Sequence, residues 1–320
     1  MKSISRTRAP LFIGLVVSLA LAACDRPVQQ PGADITDTMD TMDTLVSAEW
    51  LSQHLDDSDL VVIDCTVIVQ PNEDGTVQTI SGRSGYEKGH IPGAGFADLK
   101  GALADGDSPL DFAMPTPAQF AAAMGALGVG NDTRVVLYDN YNGVWASRVW
   151  WMLRWIGFDN AALLDGALTA WTGAGHPLST EPANRSAKQL SIRLRPELIA
   201  DRGEVHASLG DGSVKLIDAM NEAHYRGEMS MYARPGHIPG ATNLPTTELF
   251  DETGRFRSDD ELAMIMGGDR DARTITYCGG GIAASADAFA LHRLGFTNIA
   301  VYTASLQEWA ADPALPLETD

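Results

Sequence analysis

Short apolar runs alternate along most of the chain with segments whose apolar residues recur every three or four positions. Residues 61–63, 135–137 and 161–164 are runs typical of buried parallel strands. After the second run, one face of a predicted helix is formed by Val149, Met152, Leu153 and Ile156. Alternating strands and helices predict an α/β fold with mostly parallel sheets flanked by helices, in which sites form beyond the carboxyl ends of the strands.

The same plan occurs twice. The sequence GHIPGA stands at residues 89–94 and again at 236–241, and the spacing from Gly157 to Trp171 equals that from Gly295 to Trp309. Self-similarity of this length indicates an internal duplication. We therefore predict a first domain at residues 44–180, a polar linker at 181–197 and a second domain at 198–320.

The first residues have the pattern of a targeting segment. A positively charged start and a short apolar run end in LAAC at Cys24, and Leu21, Ala22 and Ala23 resemble a bacterial lipobox. This resemblance predicts a lipoprotein signal peptide at residues 1–23 and lipid attachment to Cys24; an ordinary signal peptide or an uncleaved anchor are the alternatives. The polar residues 24–43 predict a flexible tether.

These features together predict a lipid-anchored protein of the cell envelope that faces the periplasm. Asp25 resembles an inner-membrane retention signal of enteric-type bacteria, which slightly favours the inner membrane. The chain carries a formal charge of -19, which disfavours nucleic acid as a partner. The seven histidines are scattered and show no zinc-ligand spacing, so no metal site is predicted.

The stretch TITYCGGGIAAS holds the clearest candidate for chemistry. Cys278 follows a predicted strand, and Gly279, Gly280 and Gly281 precede a predicted helix whose first N–H groups point back toward the sulfur. A helix N-terminus stabilises an anion by up to about 2 kcal/mol, which predicts a thiol about half ionised at neutral pH. Cys278 is thus a candidate nucleophile, although most lone cysteines are structural. The equivalent position in the first copy is Asp139.

The duplicated plan, the paired GHIPGA, the run VWWMLRWIGF and the loop from strand to helix resemble the two-domain rhodanese family of thiosulfate and 3-mercaptopyruvate sulfurtransferases. The resemblance covers Thr44 to the C-terminus. It implies that Cys278 accepts a sulfane sulfur as a persulfide and passes it to a thiol or to cyanide, and that the first domain is a non-catalytic copy. It implies no cofactor. The loop of six residues, which ends with Ile282 and Ala283, would stabilise the persulfide through its backbone N–H groups. Because the loop lacks the arginine of related phosphatases, phosphatase activity is disfavoured.

Several positions depart from the family pattern. CGGGIAA is closer to the mercaptopyruvate-type CGSGVTA than to thiosulfate-type loops, which often carry cations, but Gly280 replaces the serine of a proposed proton relay. Met220 and His224 stand where the family has substrate-binding arginines. Arg226 and Arg234 lie nearby and are candidate replacements, so Arg226, Arg234, His224 and His90 are the four candidates for substrate binding. Such changes keep a second hypothesis open, in which the fold carries or senses sulfane sulfur, or docks a partner, with little turnover.

Some of the remaining residues have a structural alternative. His90 matches the histidine of the family's relay, but His90 and His237 are also typical of residues that hold a tight turn. Cys65 is predicted to be a small core residue, and a disulfide between Cys65 and Cys278 is disfavoured because the two lie at non-equivalent positions of different copies.

Overall fold

The computed structural model describes residues 42–72 and 77–319, and each half of this region is built around its own five-stranded sheet. The predicted signal peptide, the lipid-attachment residue Cys24 and most of the predicted tether lie outside the described residues. Within the described part, none of the helices is both long and apolar enough to cross a membrane.

Among its described residues, the first domain contains seven strands and five α-helices. Its strands are β1 Leu45–Val46, β2 Leu60–Asp64, β3 Val67–Pro71, β4 Val77–Ser81, β5 Gly95–Phe96, β6 Arg134–Tyr138 and β7 Ala161–Leu164. Its helices are α1 Ala48–His54, α2 Arg83–Tyr86, α3 Pro117–Ala126, α4 Val144–Trp155 and α5 Ala167–Gly173.

The second domain repeats this order without the β3–β4 pair. Its strands are β8 Ile199–Ala200, β9 Val214–Asp218, β10 Thr242–Asn243, β11 Arg273–Tyr277 and β12 Ile299–Tyr302. Its α-helices are α6 Arg202–Ala207, α7 Glu222–Tyr225, α8 Asp259–Met266, α9 Ile282–Arg293 and α10 Ser305–Trp309. Short 3₁₀ turns occupy Pro196–Leu198 and Thr246–Leu249.

The two large sheets have the same topology. The order is β1-β7-β6-β2-β5 in the first and β8-β12-β11-β9-β10 in the second, and every pairing in both is parallel. The central strands β6 and β11 are buried almost throughout, because helices cover both faces of a parallel sheet. The predicted α/β class with parallel sheets is confirmed.

One element was not predicted. Strands β3 and β4 form a separate antiparallel hairpin in the first domain, in register from Val67 with Ser81 to Pro71 with Val77. Val69 and Val77 are exposed on it, at 55% and 47% of their surface. The alternation that marks a half-exposed strand is too short here to stand out in the sequence.

Helices α4 and α9 pack against each other and join the two domains. The ring of Trp150 meets the ring of Phe289 edge-on, with centroids 4.9 Å apart, and both side chains are fully buried. Small residues on α9, including Ala284 and Ala288, have no exposed surface and allow the close approach of the helices. Each of these helices follows the loop at the end of a central strand, so their packing holds both loops relative to each other.

Candidate active site around Cys278

The Cys278 loop links the end of β11 to the start of α9. Gly281, the residue before the helix, has a left-handed backbone with φ 79°, which favours glycine. The loop is also held by α10: the Cys278 N–H donates to Ser305 Oγ at 3.1 Å, and the Cys278 carbonyl oxygen accepts from the Leu306 N–H at 3.0 Å. Strand, helix and these bonds place the sulfur at the carboxyl end of the sheet.

The sulfur itself is buried against backbone donors. The Gly281 N–H donates to Cys278 Sγ at 3.1 Å, and Cys278 keeps only 3% of its surface exposed. Burial raises the pKa of the Cys278 thiol, and the backbone N–H groups of Ala284, Gly280 and Gly281 lower it without offsetting burial. The predicted half-ionised thiol is therefore wrong in direction, because the sequence could not show how completely the loop is covered.

The equivalent loop of the first domain shows which kind of group such backbone N–H groups bind. The carboxylate of Asp139 takes four backbone N–H groups at 2.8–3.1 Å, from Tyr141, Gly143, Trp145 and Ala146. Gly143, like Gly281, has a left-handed backbone before its helix. The first domain thus fills its anion cradle with its own side chain, whereas the cradle of the second domain holds a sulfur.

A cleft of about 640 Å³ opens in front of Cys278, between the two domains. Most of its walls are apolar or aromatic, and its lining includes Val69, Val77, Phe112, Trp145, Met220, Met231 and Tyr232. Among the described residues that line the cleft, Lys100 supplies the one cationic side chain. Its Nζ lies 2.6 Å from Asp111 Oδ1 and 4.8 Å from the centre of the Phe112 ring. The domains also meet beside the cleft, where the Asp111 N–H donates to Gln307 Oε1 at 3.0 Å.

Tyr232 packs directly onto the loop. A Cβ atom added to Gly279 would lie 1.7 Å from the Tyr232 hydroxyl oxygen. A side chain at position 279 would therefore have to displace the Tyr232 ring, and glycine avoids this overlap. At Gly280 the nearest atom would be Gln307 Nε2 at 3.1 Å, the end of a flexible side chain.

None of the four predicted substrate-binding residues lines this cleft. The Arg234 guanidinium donates to four backbone carbonyl oxygens at 2.6–3.1 Å, those of Trp309, Ala310, Asp312 and Leu315. Arg226 pairs with Glu222 at 2.5 Å on the surface of α7. These two predictions are therefore corrected: one guanidinium stabilises the C-terminal segment and the other belongs to an exposed ion pair.

The two histidines among the predicted substrate-binding residues also lie outside the cleft. His90 lies against the backbone, with Nδ1 2.8 Å from the Tyr86 carbonyl oxygen and Nε2 2.9 Å from that of Glu181. This geometry agrees with the turn-holding alternative and not with a relay to Cys278. His224 is buried, and its Nδ1 lies 2.8 Å from Asn221 Oδ1. Cys65 is a free, fully buried core residue, as predicted.

The cleft residues outside the Cys278 loop were not predicted as site residues, because they come from segments far from the loop in sequence. Lys100 and Phe112 belong to an irregular stretch of the first domain, and Tyr232 follows α7. Single residues in irregular segments carry no periodic signal. Within residues 42–72 and 77–319, no group of three or more His, Cys, Asp or Glu side chains is arranged to hold a metal ion.

Comparison with known proteins agrees with this geometry. A family model described as rhodanese-like domain matches residues 47–174 and 201–312. The 3-mercaptopyruvate sulfurtransferase of Escherichia coli K12 is 35% identical over 279 residues, covering 85% of this chain and 97% of that protein. The thiosulfate sulfurtransferase of Gallus gallus is 30% identical, covering 83% and 92%. The crystal structure of SseA from Escherichia coli superposes with a TM-score of 0.73 at 34% identity, covering 82% of this chain and 99% of that one.

The glycines of the loop offer a matched test of this geometry. We expect Gly279→Ala to displace Tyr232 and to lower the rate of sulfur transfer about 100-fold, since an error of about 1 Å in a site has effects of that size. We expect Gly280→Ala to stay within about threefold of the parent, because Gln307 can move aside. Steady-state thiocyanate production by both variants measures this. Equal rates for the two variants would contradict the close packing of Tyr232.

Proposed function

The chain belongs to the rhodanese-like family and is a sulfurtransferase, and from this premise we propose that Cys278 carries the sulfur as a persulfide with 3-mercaptopyruvate as the donor. A thiol or cyanide is the acceptor. The observation that supports Cys278 is its position: its sulfur faces backbone donors at the base of the interdomain cleft. Cys65, the other described cysteine, lies in the core with no exposed surface.

The backbone N–H groups of the loop stabilise both anionic forms of the sulfur, the Cys278 thiolate and the Cys278 persulfide. The Cys278 thiolate attacks the sulfur of 3-mercaptopyruvate. An S–S bond forms while the C–S bond of the donor breaks, and the electron pair of that bond leaves as the enolate of pyruvate. The enolate then takes a proton to give pyruvate. The product is a Cys278 persulfide, whose outer sulfur the acceptor then attacks to regenerate the Cys278 thiolate. Backbone N–H groups that need not move between these steps stabilise the negative charge in each.

The charge of the cleft favours a donor with a single negative charge. Thiosulfate is a compact dianion, and binding it in a buried site calls for cations that compensate both charges. The described lining of the cleft offers Lys100, which already pairs with Asp111. One ammonium group suits the carboxylate of 3-mercaptopyruvate, and the apolar walls suit its carbon chain. The 35% identity to the Escherichia coli enzyme supports the same choice.

The persulfide is tested by mass. We expect the full chain, incubated with 3-mercaptopyruvate, to release pyruvate and to gain the mass of one sulfur atom on the peptide that contains Cys278. Cyanide should remove that mass and yield thiocyanate. Cys278→Ser should lose both reactions, and Cys65→Ser, as the matched control, should keep them. The carrier or sensor alternative requires the mass gain without repeated release of pyruvate, so multiple turnovers would exclude it.

The donor assignment is tested by a pair of charge variants. Lys100→Met should raise KM for 3-mercaptopyruvate about tenfold with little change in kcat, because an ion pair with the carboxylate is lost. Asp111→Asn should lower KM, because it removes the group that competes for the ammonium. Steady-state kinetics over a range of donor concentrations measure both. A parent enzyme that uses thiosulfate with a higher kcat/KM than 3-mercaptopyruvate would overturn the assignment.

For the cell location, we propose lipid attachment at Cys24 and a periplasm-facing position, with the inner membrane slightly favoured. The LAAC pattern supports this proposal, and the family match begins only at residue 47, beyond the predicted tether. A lipid chain would tie an otherwise acidic protein to the membrane surface.

The anchor is tested by fractionation. In a bacterial host that modifies lipoproteins, we expect the full chain to sediment with membranes and to enter the detergent phase. Cys24→Ser should prevent lipid attachment, so that the protein is soluble or accumulates as the uncleaved precursor. Cys65→Ser should behave as the parent chain. Recovery of the parent chain in the soluble fraction would contradict the proposal.

A further inference from the structure

A buried arginine lies behind the Cys278 loop. Arg148 stands on α4 of the first domain and has 1% of its surface exposed. Its Nη2 donates to the Phe112 carbonyl oxygen at 2.9 Å, but its Nε and Nη1 have no hydrogen-bond partner among the described residues. A guanidinium is seldom buried with donors unpaired, because removing its charge from water has a high free-energy cost.

The unpaired side of Arg148 faces the loop of the second domain. A Cβ atom added to Gly281 would lie 3.1 Å from Arg148 Nη1, and the N–H of the same glycine donates to Cys278 Sγ at 3.1 Å. One residue of the loop thus separates the guanidinium from the sulfur. Counted from the glycine before each helix, the position of Arg148 on α4 corresponds to Ala286 on α9. The cation is therefore contributed by the first domain alone.

We propose that Arg148 is a positioning residue for the sulfur-transfer step: acting across the domain interface through the Gly281 turn, it favours negative charge on the Cys278 sulfur and on the persulfide. This inference rests on the proposed role of Cys278. It gives the first domain, which has no nucleophile of its own, a share in the chemistry of the second.

The state of Arg148 fits this role. Burial lowers the pKa of Arg148 to about 10, and the nearby Cys278 acts in the opposite direction. The guanidinium therefore remains protonated at neutral pH. No carboxylate in the described part of the chain pairs with its charge, so a thiolate or persulfide anion at Cys278 is the counter-charge that the interface offers.

The other charged and titratable groups around the sulfur do not supply a compensating cation. Asp218, at the end of β9, raises the pKa of Cys278, as burial does. Tyr232 is neutral, because burial raises the pKa of its phenol. At the mouth of the cleft, Lys100 is paired with Asp111. On the proposal, Arg148 acts against the effects of burial and Asp218 on the thiol without outweighing them.

The test measures the ionisation of Cys278 directly. The rate of alkylation by iodoacetamide is followed against pH on the Cys278 peptide of the full chain by mass spectrometry, with no sulfur donor present. Replacing Arg148→Met should raise the apparent pKa of the thiol by about one unit, since a neighbouring opposite charge shifts a pKa by about 1–3 units. Below the pKa this corresponds to about tenfold slower alkylation. Arg148→Lys, which keeps the charge, should recover most of the shift.

Two further variants make the result specific. Arg154→Met on the same helix removes an arginine that pairs with Asp159 at 2.8 Å, and it should leave the pH profile unchanged. Asp218→Asn should shift the profile downward, opposite to Arg148→Met. If Arg148→Met does not fold, Arg148→Gln is the second neutral variant: it keeps a polar side chain at this position and should shift the profile in the same direction as Arg148→Met, and an unchanged profile would overturn the inference.

The outcomes separate this inference from the proposed function. An unchanged profile in Arg148→Met would overturn the inference, as would a rise in KM alone, because Arg148 would then bind the donor. A shifted profile in a protein that forms no persulfide from 3-mercaptopyruvate would sustain the role of Arg148 and refute the donor. Persulfide formation from 3-mercaptopyruvate with an unchanged pH profile would support the donor and refute the role of Arg148.

Discussion

The structure depends on one constraint: several backbone N–H groups converge at the point where a central parallel strand gives way to a helix. Such a point requires an acceptor, because buried donors without a partner are costly. The two domains meet this requirement differently. In the first, the Asp139 carboxylate accepts from four of these donors. In the second, the backbone N–H groups face the single sulfur of Cys278, to which the Gly281 N–H donates at 3.1 Å.

The first domain forms part of the site although its own loop has Asp139 in place of a cysteine. The packing of α4 against α9 fixes the relative position of the two loops, and the first domain then supplies much of the cleft wall through Phe112, Trp145 and Lys100. It also places Arg148 behind the sulfur. A single domain would expose the Cys278 loop to water on that side. On the proposed role of Cys278, the second copy therefore carries the reacting atom, and the first copy provides part of its surroundings.

The sequence allowed the fold, the duplication and the Cys278 loop to be predicted, because each leaves a regular signal: apolar runs, repeated spacing and glycines beside a strand end. Predictions about groups held by tertiary packing were less successful. Arg234 was chosen for its nearness in sequence, but its guanidinium bonds backbone carbonyl oxygens of the C-terminal segment. The direction of the pKa shift of Cys278 was also wrong, because a helix N-terminus is visible in a sequence whereas the depth of burial is not.

The same geometry places the cation that acts on the sulfur and the residues that bind the donor on different sides of the Cys278 loop. A cation within the loop of a sulfurtransferase would attract an anionic donor and stabilise the sulfur at the same time. In this chain the loop is neutral, the unpaired cation Arg148 lies behind it, and the cleft in front is largely apolar. Arg148 stabilises the sulfur before the donor arrives and after it leaves, so its effect does not depend on what occupies the cleft. Selection among donors and acceptors then rests on the shape and apolar surface of the cleft and on the Lys100–Asp111 pair. On this proposal, the Lys100–Asp111 pair governs the choice of donor, and Arg148 governs the ionisation of Cys278.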